Sequence, residues 1–228
     1  MASIIAYLPL AGLPLRFLVL VGAALAAGLG FLLLSQLLDG TAHTALKGSG
    51  VACLALAALQ LPVRGAGKLA LVMALGAAGD VLLELPGLFL AGGASFAAGH
   101  VAAILFYMQH RRQTLAGDRA IAALMIVYGL AMPPLLTADG LLGFAMVYAV
   151  LLCGMAASLW LSRFPRLAAL GGLLFVLSDT LLVLRMGGGQ LLGPALDGAL
   201  VWISYFGGQW LITLGVARGL LGRAAHPD

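Results

Sequence analysis

The sequence has few charged residues. Only 9% of its 228 residues are Asp, Glu, Lys or Arg, whereas about a quarter is usual in a soluble domain. This shortage argues against a water-soluble globular protein. The 12 basic and 8 acidic residues leave a formal charge of +4. We expect this excess to reflect membrane topology and predict no nucleic-acid partner, because Lys and Arg collect on the cytoplasmic side of membrane spans.

Metal-binding side chains are also scarce. The two cysteines, Cys53 and Cys153, both lie inside apolar runs, where a thiol behaves as a small hydrophobic group. His100 has no second histidine or cysteine at the spacing of metal ligands. We therefore predict no metal site and no cofactor.

Long apolar runs dominate the chain. Hydrophobic residues make up 63% of it, the mean hydropathy is +1.11, and a membrane-spanning helix needs about 20 such residues. The 32 glycines indicate closely packed helices. We predict an all-α polytopic membrane protein, a single domain over residues 1–228 with eight transmembrane helices. Their predicted bounds are 14–36, 45–61, 67–85, 88–109, 119–136, 140–161, 166–186 and 196–217.

The basic residues support this count of eight. With both termini in the cytoplasm, ten of the twelve lie on the cytoplasmic face, and only Lys47 and Arg185 face outward. Ten arginines against two lysines suggest a GC-rich bacterial genome, and so the inner membrane of a bacterium. The ten cytoplasmic residues are Arg16, Arg64, Lys68, Arg111, Arg112, Arg119, Arg163, Arg166, Arg218 and Arg223.

A short segment occurs twice. Asp80-Val-Leu-Leu-Glu-Leu in the third helix is followed 99 residues later by Asp179-Thr-Leu-Leu-Val-Leu in the seventh. Both helices run in the same direction, so the chain could consist of two four-helix halves related by an axis along the membrane normal. Chance is an equal alternative, because Leu-rich matches are common in so apolar a chain.

The two aspartates of this segment are the strongest functional candidates, since carboxylates inside a membrane are costly. Asp80 lies 12 residues beyond Lys68 and Asp179 lies 13 beyond Arg166, which places both about 18 to 20 Å from the cytoplasmic helix ends. Each could simply be hydrogen-bonded across a helix contact, but their matched depth favours a functional role. Two carboxylates in a partly desolvated site can act as an acid and a base.

Further polar groups approach the same layer from other helices. Each has an ordinary structural alternative: a lysine at the membrane surface, a core histidine, aromatic residues at the interface, or a solvated carboxylate at a helix end. If they converge, the bundle contains an apolar pocket with a few polar groups, the usual pattern of a binding site. These candidates are Lys47, Glu84, His100, Tyr148, Tyr205 and Gln209.

This set of side chains favours acid-catalysed bond cleavage. A serine hydrolase would need a G-x-S-x-G turn, which the sequence lacks. A proton-coupled transporter remains the alternative, because paired membrane carboxylates also relay protons. The sequence argues against a transporter, because transporter sites are typically formed by broken helices and no Pro- or Gly-interrupted helices occupy matching positions in the two halves.

Four segments carry a resemblance to a known family. They are GDVLLELPGLFLAGGASFAAGH, VYAVLLCGMAASLW, GGLLFVLSDTLL and VWISYFGGQWLI. Together they resemble the YhhN family of membrane proteins, whose characterised members are lysoplasmalogenases, and the resemblance extends from Lys47 to about Ala217. Two positions depart from the family pattern: Gly48 stands where a proline is usual, and Ala103 where an aromatic residue is expected.

The resemblance implies hydrolysis of the vinyl-ether bond of a lysophospholipid in the bilayer, which releases a fatty aldehyde and a glycerophospho-ethanolamine or -choline. Asp80 and Asp179 would be the acid and the base, in either order. Lys47 would hold the phosphate, with Glu84 near the outer end of the site. The natural lipid, the leaflet from which it enters and the oligomeric state stay open at this point. The remaining residues, His100, Tyr148, Tyr205 and Gln209, would orient the glycerol oxygens and the water.

Overall fold

The computed structural model describes residues 12–137 and 140–225, with side chains as far as Gly222. Within these ranges the chain forms eight α-helices and one 3-10 turn, Ser35–Leu37, and no β-strand. The all-α prediction is therefore confirmed. The helices are α1 (Leu15–Leu34), α2 (Gly40–Ala58), α3 (Ala66–Glu84), α4 (Phe89–Met108), α5 (Ala116–Leu136), α6 (Leu142–Trp160), α7 (Arg166–Met186) and α8 (Pro194–Ala225).

A helix lies at each of the eight predicted positions, and two bounds differ clearly. Helix α2 begins at Gly40, five residues before the predicted start, because its polar first turn continues the helix beyond its apolar part. Helix α8 continues to Ala225, eight residues past the predicted end. No proline interrupts residues 218–225, so nothing in the backbone stops the helix there.

Seven of the eight described helices are long and apolar enough to cross a membrane. The protein is therefore an integral membrane protein, and many of its exposed side chains are leucines, as contact with lipid requires. These seven coincide with seven of the eight predicted spans. The exception among the described helices is α2, whose polar side chains include Thr41, His43 and Lys47.

Helix α8 is central to the bundle. It packs against α1, α2, α3 and α7, and it is the most deeply buried of the seven candidate spans. Helix α5 is the least buried of them, and it packs on α6 but only sparsely on α7. Side chains on α8 are therefore held from several sides, while one flank of α5 and α7 stays loosely closed.

Two glycines bring the backbones of α7 and α8 together. A Cβ added to Gly171 would lie 2.6 Å from the carbonyl oxygen of Gly208, and a Cβ added to Gly208 would lie 2.7 Å from that of Gly171. No side chain fits between the helices at this level. The contact therefore sets the position of α7 relative to α8.

Asp118 joins three helices at one end of the bundle. Its Oδ1 forms an ion pair with Arg112 at 2.8 Å, and it accepts hydrogen bonds from Arg166 at 2.7 Å and from the indole N–H of Trp160 at 3.1 Å. The Arg166 guanidinium also lies 4.1 Å from the Trp160 ring centroid. We call this end, where α3 and α7 begin, the basic end, and the opposite end the cavity end.

The glycine contact generates a stability prediction. We expect Gly208→Ala to lower the stability of the protein by about 1 to 3 kcal/mol, because the new methyl group overlaps the backbone of α7. Gly207→Ala is the matched control, since nothing lies within 4 Å of its Cβ position, and it should be neutral or slightly stabilising. Thermal unfolding in detergent, followed by tryptophan fluorescence, measures both. Equal melting temperatures for the two variants would contradict the backbone contact.

Candidate functional site

A cavity of about 890 Å³ occupies the cavity end of the bundle. All eight helices contribute to its walls, which are mostly apolar. It extends from the level of Asp80 and Asp179 to the helix ends at Gln36 and Gly187. On its loosely closed flank α5 meets α7 where the Tyr128 hydroxyl and Thr180 Oγ1 lie 2.7 Å apart. Its size and lining are those of a small-molecule or lipid site.

Asp80 forms the deepest polar contact of this cavity. Its side chain on α3 is only 2% exposed, and its Oδ2 accepts a 2.7 Å hydrogen bond from the Tyr205 hydroxyl on α8. The ring of Phe96 packs edge-on against Tyr205 at 5.8 Å. Among the described residues no other hydrogen bond reaches the Asp80 carboxyl group. One of its oxygens is therefore held by Tyr205, and the other makes no hydrogen bond with the described residues.

Asp179 forms a second contact of the same kind. It lies half-buried on α7, and its Oδ2 accepts a 2.6 Å hydrogen bond from the Tyr148 hydroxyl on α6. Both aspartates and both tyrosines line the same cavity. The structure thus brings together these four sequence-predicted residues as two Asp–Tyr pairs. The same two hydrogen bonds also agree with the alternative interpretation, in which each aspartate has only a structural role and is hydrogen-bonded across a helix contact.

Lys47 and Glu84 lie one helical turn further toward the cavity end. The Lys47 ammonium donates a hydrogen bond to Glu84 Oε1, and His43 Nδ1 lies 3.4 Å from Glu84 Oε2. All three line the cavity. The carboxylate of Glu84 is therefore an ion-pair partner and not a free, solvated helix end. The sequence analysis did not select His43, although it precedes Lys47 by four residues and so shares its helix face.

His100 and Gln209 do not line this cavity. They lie one layer deeper, around a separate void of about 10 Å³, enough for roughly one water molecule. The His100 ring packs edge-on against Tyr148 at 5.4 Å. His100 Nε2 and the Tyr107 hydroxyl are buried without a hydrogen-bond partner among the described residues. Ala103, the small residue that departs from the family pattern, forms part of the wall of this void.

Two further cavity residues were not singled out as site residues. Trp202 lies three residues before Tyr205 on α8 and donates a 2.8 Å hydrogen bond to the Gly28 carbonyl on α1. Its position on the face of Tyr205 was a signal that could have identified it. Arg185, predicted only to face outward, lies at the rim of the cavity.

Nowhere in the described parts of the chain do three His, Cys, Asp or Glu side chains group as metal ligands would.

The two Asp–Tyr pairs predict an unusual response to mutation. We expect Asp80→Asn and Asp179→Asn to leave the melting temperature unchanged or raised. The asparagine carbonyl still accepts the tyrosine hydrogen bond, and a carboxyl group no longer has to be buried.

Asp118→Asn is the control, and it should lower the melting temperature by several degrees because two arginines lose their partner. Thermal unfolding of the three variants in detergent checks this. Strong destabilisation by Asp80→Asn would show that its carboxyl group is needed for folding.

Comparison with known proteins agrees with this architecture. The family model described as "YhhN family" matches residues 42–216, a range that includes α3 to α7 in full and all four residues of the Asp–Tyr pairs. No curated protein and no solved structure matches the chain. Because the family model covers well over half of the sequence, the chain belongs to the YhhN family.

Proposed function

We propose that the protein is a lysoplasmalogenase-like hydrolase, which cleaves the vinyl-ether bond of alkenyl lysophospholipids. The observation that carries this proposal is the pair of carboxyl groups, each held by a tyrosine, on the wall of one largely apolar cavity. Characterised members of the YhhN family are lysoplasmalogenases, which supports the same assignment. The products are a fatty aldehyde and a glycerophospho-ethanolamine or -choline.

The chemistry of a vinyl ether matches these groups. A proton is added to the β-carbon of the double bond, and the resulting cation is stabilised by the ether oxygen. Water then attacks the α-carbon and loses a proton, which gives a hemiacetal that collapses to the aldehyde and the glycerol alcohol. As in glycoside hydrolysis, this sequence needs one acid and one carboxylate that stabilises the cation and activates water.

We assign the acid to Asp80 and the carboxylate to Asp179. Asp80 is the more enclosed of the two, and its unbonded oxygen can deliver a proton to a carbon atom in a place that excludes bulk water. Asp179 is half-buried, so water reaches it more easily. Glu84 and His43, one turn outward, lie between Asp80 and the mouth of the cavity, where they can return a proton after each turnover.

The other predicted residues either contact the substrate or hold the catalytic side chains in position. The alkenyl chain needs only the apolar walls, and the Lys47–Glu84 pair offers a donor and an acceptor to the glycerol oxygens. His100 and Gln209 line the small void one layer deeper than the cavity. We therefore give them a positioning role, in which they hold Tyr148 and Tyr205 toward the aspartates.

We also propose that α2 crosses the membrane with the other seven helices, so that both termini lie in the cytoplasm of a bacterial cell. The cavity end then faces the outer leaflet of the inner membrane. Helix α4 packs on α6, and α8 packs on α2. These two contacts exchange under a two-fold axis that relates α1–α4 to α5–α8, which supports the four-plus-four repeat.

The first experiment measures aldehyde release by the purified protein in detergent. We expect release from an alkenyl lysophospholipid and none from the acyl lysophospholipid. Asp80→Asn and Asp179→Asn should each lower kcat by at least about 100-fold, because an acid or base in the transition state contributes 10² to 10⁴.

Asp39→Asn provides the matched carboxylate control. Asp39 is exposed at the start of α2, its side chain makes no capping hydrogen bond, and its replacement should leave turnover unchanged. Absence of aldehyde from folded wild-type protein would disprove the proposed substrate. Equal activity of Asp80→Asn and wild type would disprove the assigned acid.

A second experiment follows the proton. Hydrolysis in D₂O should place one deuterium on the carbon next to the aldehyde group, because the mechanism adds a solvent-derived proton to the β-carbon. Mass spectrometry of the aldehyde, trapped by reduction with borohydride, measures it. The same aldehyde made in H₂O and then exposed to D₂O controls for later exchange. An aldehyde without deuterium would contradict protonation at carbon.

A further inference from the structure

Arg185 is a cation at the rim of the cavity. It lies in the last turn of α7, is exposed, and lines the cavity together with the first turn of α8. Its guanidinium packs over that turn, with Nη1 3.5 Å from the Cβ position of Gly198. The absence of a side chain at Gly198 therefore leaves room for the guanidinium beside the start of α8.

No carboxylate compensates this charge in the described part of the chain. Asp197 is next to Gly198, but it is only 3% exposed, and its two oxygens accept hydrogen bonds from the backbone N–H groups of Leu191 and Leu192, both at 3.0 Å. Lys47, the other cation of the cavity, is bonded to Glu84. Arg185 is thus the cation on the cavity wall that has its hydrogen-bond donors available for an external anion.

We infer that Arg185 binds the phosphate group of the lysophospholipid, an inference that rests on the proposed function. Arg185 is six residues beyond Asp179 on the same helix, a rise of about 9 Å. Seven bonds separate the β-carbon of the vinyl ether from phosphorus, which is about 9 Å for an extended chain. A lipid whose vinyl ether lies beside the aspartates therefore places its phosphate at the level of Arg185.

The chemistry of the side chain agrees with this distance. A guanidinium can donate two parallel hydrogen bonds to a phosphate. A phosphate at Lys47, where the sequence analysis placed it, would also meet the Glu84 carboxylate. Because Arg185 is at the rim, the amine of the headgroup extends beyond it toward water. The site therefore selects for a phosphate and discriminates little between ethanolamine and choline.

Kinetics with two lipids test the inference. For an alkenyl lysophosphoethanolamine, Arg185→Gln should raise KM about tenfold or more with little change in kcat, because a charged hydrogen bond to the phosphate is lost. For a 1-alkenylglycerol, which has no phosphate, KM should be the same in the variant and the wild type. Arg185→Lys should recover part of the affinity. Arg64→Gln, an exposed arginine at the basic end, should change neither value.

Binding of a product-like probe gives a readout without turnover. Glycerophosphoethanolamine should raise the melting temperature of the wild type and of Arg64→Gln, and should not raise that of Arg185→Gln. If the wild type cleaves neither alkenyl lipid but this shift still depends on Arg185, the proposed reaction is wrong and the phosphate site stands.

Three results would overturn the phosphate site. One is an unchanged KM and an unchanged melting shift in Arg185→Gln. Another is an equal rise of KM for the lipids with and without phosphate. The third is a variant that is destabilised only in nanodiscs of anionic lipid while its KM is normal, which would mean that Arg185 binds headgroups of the surrounding bilayer.

Discussion

The structure depends on the direct backbone contact of α7 and α8 at Gly171 and Gly208. Asp179 lies two turns beyond Gly171, and Tyr205 lies three residues before Gly208. The contact therefore lies about one turn from Tyr205 on α8 and about two turns from Asp179 on α7. Helix α8 also packs on α1, α2 and α3. The contact of α7 with α8 therefore helps to set the position of Asp179 on α7 relative to the Asp80–Tyr205 pair.

The two ends of the bundle differ in what their polar side chains contact: at one end they join helices, and at the other they line the cavity. At the basic end Oδ1 of Asp118 contacts two arginines and an indole N–H, which draws α5, α6 and α7 together. At the cavity end α5 packs only sparsely on α7, and the Tyr128 hydroxyl lies 2.7 Å from Thr180 Oγ1. The charged contacts therefore hold the basic end together, while the cavity separates the helices at the other end.

Within the cavity, polar groups are graded by depth. The two Asp–Tyr pairs form the deepest level, the ion pair of Lys47 with Glu84 comes one turn outward, and Arg185 is at the rim. Buried polar groups remain only where a partner offsets the loss of water. This order of polar groups matches the proposed substrate, an amphiphile whose reactive bond would lie deep and whose phosphate would lie near the surface.

The sequence by itself determined the helices and the family resemblance, and it predicted that the two aspartates lie at one depth. Apolar runs separated by charge, Pro and Gly mark spans because a bilayer accepts only helices or closed barrels. Asp80 and Asp179 could be placed at one level because helical rise converts residue number into distance. The start of α2 was placed too late because hydropathy is a poor guide to a polar first turn such as Thr41–Thr44.

The tertiary structure decided which side chains meet. The Tyr148 hydroxyl donates to Asp179 and the Tyr205 hydroxyl donates to Asp80. His100 and Gln209, which were predicted on equal terms with these tyrosines, lie one layer deeper. Periodicity shows which residues share a helix face, but it does not show which face of a neighbouring helix they oppose. That choice depends on helix rotation and crossing, which the contacts of small residues such as Gly171 and Gly208 settle by steric exclusion.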